Sequence, residues 1–125
     1  MEATYVIHAD DGYIEECFSG SVTLPEVLAF LQRIQQDPAW CTDLDGLADF
    51  SHATIDMDYA SMLNLASLFE TDPNVSHGCW AFVVDNPLNV GMTRMFKSLT
   101  EGVHTLRLFN SREAALAWLL GERGA

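Results

Sequence analysis

Basic residues are scarce in this 125-residue chain, in which six Lys and Arg stand against 18 Asp and Glu, a formal net charge of −12 at pH 7. The imbalance is concentrated in residues 1–75, which hold 14 acids and one base (−13), whereas residues 76–125 hold four acids and five bases (+1). A surface of this sign repels phosphate backbones and anionic lipid head groups, so a nucleic-acid partner is not expected. The acidic part either serves solubility or meets a basic protein partner.

Long apolar runs are absent too, since none approaches the roughly 20 residues that a membrane-spanning helix needs. The opening residues, MEATYVIHADD, lack a basic region followed by an apolar stretch, which is the pattern of a secretory signal. The only cysteines, Cys17, Cys41 and Cys79, are odd in number and far apart, which favours small buried thiols in a reducing compartment. We therefore expect one globular domain, residues 1–125, in the cytoplasm.

Motifs that carry catalysis are also missing. The chain contains no G-x-S-x-G elbow, no phosphate loop of the G-x-x-x-x-G-K-[ST] type and no G-x-G-x-x-G fingerprint. Its four histidines are scattered, and the one close pair, His77 and Cys79, supplies too few ligands for a metal site. The sequence therefore predicts a protein that is not an enzyme and has no metal or cofactor.

Strand-like and helix-like segments follow one another in the order β-β-α-β-α-β-α-β-α. An Asp-Gly pair at residues 10–12 predicts an opening hairpin, and the alternation that follows predicts parallel strands joined by right-handed crossovers. The fold class is therefore α/β with a mixed five-stranded sheet. Thr23 with Glu26 forms a predicted capping box at the first helix, and Asp58 and Asn86 are the predicted N-caps of the next two.

Two element boundaries and one helix face follow from the same patterns. The third strand is predicted to end at residues 49–51, and Gly121 to end the last helix. Helical spacing predicts an inward stripe on the third helix, made up of Leu88, Met92, Met95, Phe96 and Leu99.

The stretch VVDNPLNVGMTRMFKSL, residues 83–99, is the first candidate site, because it runs from a buried strand through a tight turn into a helix carrying Arg94. Two interpretations of Arg94 are open: its guanidinium pairs with Asp85 or another strand-end carboxylate and fixes the helix, or it faces a cavity between helix and sheet and binds an anionic group. Gly91 is predicted to allow a close approach of this helix to its neighbour, so that a valine there would destabilise the fold.

Two carboxylates and several methionines are further candidates. Asp49 and Asp85 each follow a predicted parallel strand, where ligands of open α/β sheets bind, although aspartate at such joints also caps turns. Methionines at helical spacing, with Met57 and Met92 among them, either line an adaptable pocket or fill the core.

The segments FSGSVTLPEVLAFL, DPAW, LADFSHATID, WAFVVDNPLNVGMTRMF and LRLFNSREAALAWL, in this order, resemble the small bacterial SpoIIAA-like proteins. These belong with the STAS domains, named for sulfate transporters and anti-sigma factor antagonists, and are similar in fold to CRAL-TRIO lipid-binding domains. In the antagonists, a serine that follows an aspartate at the second helix is phosphorylated. Here Asp56 stands at the matching aspartate and Met57 at the serine, so the resemblance implies no phosphorylation site.

The resemblance implies two functions from different classes. The first is a non-enzymatic regulatory or interaction module that binds a protein partner or forms a homodimer. The second is a carrier of a small apolar ligand or lipid between sheet and helices. For the second, the candidate ligand-binding residues are Arg94, Asp85, Asp49, Met92 and Met57.

Overall fold

The computed structural model describes the backbone of residues 1–124 and the side chains of residues 1–121. Its strands are β1 (Glu2–His8), β2 (Tyr13–Val22), β3 (Asp45–Ile55), β4 (Cys79–Val83) and β5 (Thr105–Phe109). Its helices are α1 (Leu24–Gln35), α2 (Tyr59–Thr71), α3 (Pro87–Leu99) and α4 (Arg112–Gly124). The strands form one sheet in the order β1-β2-β3-β4-β5, with β1 antiparallel to β2 and the other pairs parallel. The predicted element order and mixed five-stranded sheet are confirmed.

Three helices lie on one face of the sheet and the fourth lies on the other. The connections between successive parallel strands determine this arrangement. Every parallel crossover advances by one strand in the same direction, and right-handed crossovers then place α1, α2 and α3 on one face. The larger core lies between that face and these three helices. Helix α4 follows the last strand and packs on the opposite face against β3, β4 and β5, over a smaller core.

Strand β3 is longer than the sequence predicted, because it continues beyond residue 51. Its pairing with β4 stops where Asp49 lies opposite Val83. Its second half pairs with β2 alone, past a register shift between Cys17 and Ser19. The predicted strand end at residues 49–51 therefore marks where pairing with β4 stops, whereas β3 itself continues to Ile55.

A side chain of α3 takes the place of β4 along the second half of β3. Asn89 is fully buried, its side-chain oxygen accepts the backbone N–H of Ile55 at 2.9 Å, and its amide nitrogen donates to the carbonyl of Ala53 at 2.9 Å. Buried backbone groups require partners, so this amide lets β3 run on without a neighbouring strand.

The predicted N-caps of α2 and α3 are confirmed. The side chain of Asp58 accepts the backbone N–H of Ser61 at 2.8 Å, and that of Asn86 accepts the N–H of Asn89 at 2.9 Å. The capping box of α1 is wrong in detail. Thr23 occupies the N-cap position, but its hydroxyl donates to a Glu26 carboxylate oxygen at 3.0 Å and accepts no backbone N–H.

Helix α3 turns most of the predicted stripe inward, because Met92, Met95, Phe96 and Leu99 pack against the larger core. Its buried residues are Asn89, Thr93 and Phe96, with Thr100 following at the C-cap, whereas Leu88 is 49% exposed. Asn89, next to Leu88, is the buried residue at this end of the helix, where its amide bonds to β3.

Two glycine predictions are wrong. Helix α4 continues through Gly121 to Gly124, and Gly91 is exposed, with no atom within 4 Å of the place where a Cβ would stand. Gly46 makes the close approach instead, since a Cβ there would overlap the ring of Trp80.

The predicted burial of the cysteines is wrong as well. Cys17 and Cys41 are exposed and Cys79 is half-buried, and all three are free thiols. Cys17 lies on the face of β2 that looks away from α1–α3, and α4 covers β3, β4 and β5 rather than β2.

Candidate functional site

A cavity of about 100 Å³ lies between the sheet and helices α1, α2 and α3. Its wall is almost entirely aromatic and aliphatic; prominent members are Phe18, Phe30, Phe50, Trp80, Phe82 and Phe96. Cavities of roughly this size with apolar walls accept small apolar molecules. The space is therefore suited to a compact hydrophobic ligand.

Phenylalanine rings form a continuous floor across the sheet side of this cavity. Phe18 and Phe50 stack with centroids 4.6 Å apart, Phe50 and Phe82 lie 5.3 Å apart, and Phe96 of α3 stacks on Phe82 at 6.3 Å. Such offset contacts hold each ring in place through its neighbours. Each ring of the floor is thus packed against the next.

One acidic side chain, Glu16 of β2, lies in the apolar wall. It is 5% exposed and stands between Ile14 and Phe18, which face the same core. Burial is the only cause that raises the pKa of this carboxyl, to about 8, and no hydrogen bond or charge of the described residues contributes. At pH 7 the group is therefore a neutral carboxylic acid with an O–H donor.

A second polar region of the wall lies at the α3 side. The Thr100 hydroxyl donates to the Phe96 carbonyl at 2.8 Å, so it accepts from Nε2–H of His104 at 3.0 Å. This leaves Nδ1 as the bare acceptor, and among the described residues it has no partner, like the Thr93 hydroxyl. Burial, with a smaller contribution from His77, lowers the pKa of His104 to about 4, so the imidazole is neutral at pH 7.

The structure separates the five predicted site residues into three places. Met57 and Met92 line the cavity. Arg94 does not; it lines an open groove of about 560 Å³ between α3 and the β5 edge. Asp85 is exposed in the turn between β4 and α3, and Asp49 lies on the α4 side of the sheet. Their role in binding stays a prediction.

The structure decides between the two interpretations of Arg94 in part. Within residues 1–121, no ion pair joins its guanidinium to Asp85, so the structural pair proposed from the sequence is wrong. Helix α3 points Arg94 away from the core, where Asn89 and Thr93 are buried instead. The anion-anchor interpretation stays open, in the groove and not in the cavity.

The groove gathers three of the six Lys and Arg of the chain, namely Arg94, Lys97 and Arg107. No acidic side chain of the described residues lines it. The Arg107 guanidinium lies over the rings of Phe109 and Trp118, 5.6 and 5.4 Å from their centroids, which holds it in place. A locally positive surface therefore interrupts a strongly acidic molecule.

Asp49 lies within β3 and makes a local hydrogen bond to the backbone. Its carboxylate accepts the backbone N–H of Ser51 at 2.9 Å. Nearby on the same face, Arg112 donates to both carboxylate oxygens of Glu15, at 2.7 and 2.8 Å, and this lowers the pKa of Glu15. The pair joins α4 to β2.

The described residues form neither a metal site nor a helix that spans a membrane. No three His, Cys, Asp or Glu side chains within residues 1–121 lie close enough together to hold a metal ion. None of the described helices has the length and apolar character needed to cross a bilayer.

The sequence analysis missed Glu16, Thr93 and His104. Glu16 had a detectable signal: in the strand YIEECF, strict alternation places Ile14, Glu16 and Phe18 on one face, so an acid had to enter the covered side. Thr93 and His104 had none, because their burial depends on how α3 and the segment before β5 pack against distant parts of the chain.

A mixed sheet in sequential order, with three helices on one face and a fourth on the other, defines an α/β protein of SpoIIAA-like fold. The structure is similar to that of an uncharacterised protein of the DUF3478 family, with a SpoIIAA-like fold, from Shewanella loihica PV-4. The TM-score is 0.61 over 94% of this chain and 92% of that chain, at 16% sequence identity. No family model and no curated protein matches the sequence. The resemblance seen in the sequence is thus confirmed at the level of fold.

Proposed function

We propose that the protein is a single-domain, non-enzymatic binding module of the cytoplasm that holds a small apolar molecule between the sheet and helices α1–α3. The observation that carries the proposal is the cavity of about 100 Å³ in the larger core. Interiors are otherwise close-packed, and an empty space of this volume costs about 2 kcal/mol of stability. An apolar molecule that fills the cavity restores the missing contacts and so stabilises the folded protein, which favours binding.

The methionines of the wall support the same function. Met57, Met62 and Met92 line the cavity from three different segments of the helical side. Unbranched thioether side chains adapt to ligands of different shape at low cost. Binding can therefore proceed by movement of these side chains over the phenylalanine floor.

Ethylbenzene is a suitable first probe, because its size matches the cavity and it carries no polar group. In protein labelled with carbon-13 at the methionine methyl groups, we expect ethylbenzene to shift the signals of Met57, Met62 and Met92. The internal controls are Met1 and Met95, which do not line the cavity. Saturating probe should also raise the melting temperature, since a ligand at about 100 times its Kd stabilises by about 2.7 kcal/mol. Equal shifts at all five methionines, or none, would contradict the proposal.

A second candidate function, protein interaction, is favoured by the distribution of charge. Residues 1–75 carry −13, whereas the groove presents Arg94, Lys97 and Arg107. The acidic surface of one copy is complementary to the groove of another, so the partner we propose is a second copy of this chain.

Sedimentation tests this interaction at two ionic strengths. We expect self-association at low salt that is lost in about 0.5 M NaCl, where charges are screened within a few ångström. Arg94→Glu should abolish it. Arg33→Glu, which makes the same charge change at an exposed residue of α1, should leave it unchanged. A monomer at low salt, or equal loss in both variants, would refute the interaction.

A further inference from the structure

The carboxyl group of Glu16 is the one ionisable group of β2 that faces the larger core. It is 5% exposed, lines the cavity, and shares its face of the sheet with Ile14 and Phe18. A carboxyl buried without a hydrogen-bond partner destabilises a protein, whereas a leucine at the same place would not. The group therefore serves something other than the fold.

Neighbours on β1 and α1 leave this carboxyl unengaged. Tyr5 lies directly opposite Glu16 in the β1–β2 ladder, but its hydroxyl donates to Asp37 at 2.8 Å. Arg33 of α1 is exposed and donates to a backbone carbonyl of β1. Tyr5 and Arg33 are thus bonded elsewhere, and Glu26 of α1 pairs with the N-terminal amine at 2.9 Å, so none of these groups engages Glu16.

The remaining elements around the cavity contribute almost no charge. Strand β3 presents Ala48 beside Glu16, and the parts of α2, α3 and β4 that line the space carry no ionisable side chain. His104, which precedes β5, is the other titratable group of the wall, and its burial keeps it neutral at pH 7. Asp49 and Glu15 belong to the opposite face of the sheet.

We propose that the cavity selects an uncharged, mainly apolar molecule with one hydrogen-bond acceptor, such as a carbonyl oxygen, and that the carboxyl group of Glu16 donates to it. The inference rests on the proposed binding function and adds the chemical class of ligand. Among the described residues, the Glu16 carboxylic acid and the Thr93 hydroxyl are the donors of this wall that have no partner, since the Trp80 indole N–H is already bonded to Ser76 at 2.9 Å. Of the two, the carboxylic acid is the stronger hydrogen-bond donor. A ketone, aldehyde, ester or amide of benzene-like size has the matching chemistry.

A matched pair of probes tests this chemistry. Acetophenone and ethylbenzene have nearly the same shape, but only acetophenone carries a carbonyl oxygen. Their dissociation constants are measured from the methyl signals of Met57 and Met92 at about pH 6 and about pH 9.5, on either side of the pKa of Glu16. The measured quantity is the preference, which is the Kd of ethylbenzene divided by the Kd of acetophenone.

We expect the preference of the wild-type protein to fall about fivefold or more between the two pH values, the factor that one neutral hydrogen bond contributes. In Glu16→Gln, whose amide donates but does not titrate, the preference should persist at both pH values. In Glu16→Leu it should be lost at both.

The outcomes separate the inference from the proposed function. If both probes bind and the preference is unaffected by pH and by Glu16→Leu, the ligand class is wrong although the binding function stands. Tighter binding of 1-phenylethylamine than of acetophenone would also overturn the inference, because the site would then select a cation. If no probe shifts the cavity methionines, the binding function itself fails and the inference with it.

Discussion

Replacement of Glu16 by leucine is expected to stabilise the folded protein at pH 7 by about 3 kcal/mol. The carboxyl has an ordinary pKa of 4.5 and a folded-state pKa of about 8. Keeping it protonated at pH 7 therefore costs about 2.5 pH units at about 1.36 kcal/mol each. Leucine removes this cost and adds apolar surface to the wall. Few point substitutions stabilise a protein by this much, so the effect is diagnostic.

The same substitution should change the dependence of stability on pH. Because the folded-state pKa of Glu16 is raised, the folded protein binds more protons than the unfolded chain between about pH 4.5 and 8. The contribution of Glu16 is fully favourable below about pH 4.5 and is lost progressively as the pH rises to about 8. The wild-type free energy of unfolding should therefore fall through this window more steeply than that of Glu16→Leu.

Urea unfolding at pH values across this window measures both effects, and Glu16→Gln is the control, because it keeps the size and polarity of the side chain without its titration. Glu16→Gln should show the shallower pH dependence of the leucine variant with a smaller gain in stability, since its amide is still buried. Parallel pH profiles for the wild type and both variants would show that Glu16 is ionised and solvated in the folded protein.

Gly46→Ala is expected to lower the free energy of unfolding by about 3 kcal/mol, at the upper end of what overpacking costs. A methyl group at Gly46 would overlap the six-membered ring of Trp80 on the adjacent strand β4. The ring cannot easily move, because it is 7% exposed and its N–H donates to the Ser76 hydroxyl at 2.9 Å. That hydroxyl in turn donates to the carbonyl of Leu44 at 2.8 Å.

Gly91→Ala is the matched control for this prediction. Gly91 lies in α3 with open space around it, so the same chemical change should raise stability by up to about 1 kcal/mol through helix propensity alone. In a Trp80→Leu background, Gly46→Ala should lower the free energy of unfolding by less than it does in the wild type. The reason is that the two residues are in contact, and leucine leaves room for the added methyl group. If Gly46→Ala and Gly91→Ala change stability alike, the close packing of Trp80 on β3 is not a real constraint.

Most short-range sequence patterns were reliable in this protein, although the capping box at Thr23 and the helix end at Gly121 were not. The order of strands and helices and the caps Asp58 and Asn86 depend on residues within a few positions of one another. Caps such as these act locally, so the printed sequence contains their whole physical cause. The same local order also carried the resemblance to SpoIIAA-like proteins.

Patterns that depend on distant residues failed. Leu88 was assigned to the core by its spacing but is 49% exposed, whereas the neighbouring Asn89 is buried and its amide bonds to β3 more than 30 positions away. The same contact extends β3 past its predicted end. Gly91 and Gly46 were likewise indistinguishable without knowing which one faces a tryptophan.

The sequence by itself determined a mixed five-stranded α/β fold, because hydrophobic periodicity, caps and turns are local properties that admit one order of elements. Only the tertiary structure decided where its chemistry lies: it put Met57 and Met92 around a cavity, moved Arg94 to a separate groove, and buried Glu16 among phenylalanines. The reason is that a cavity, and the desolvation that raises the pKa of a carboxyl inside it, are properties of several packed segments at once.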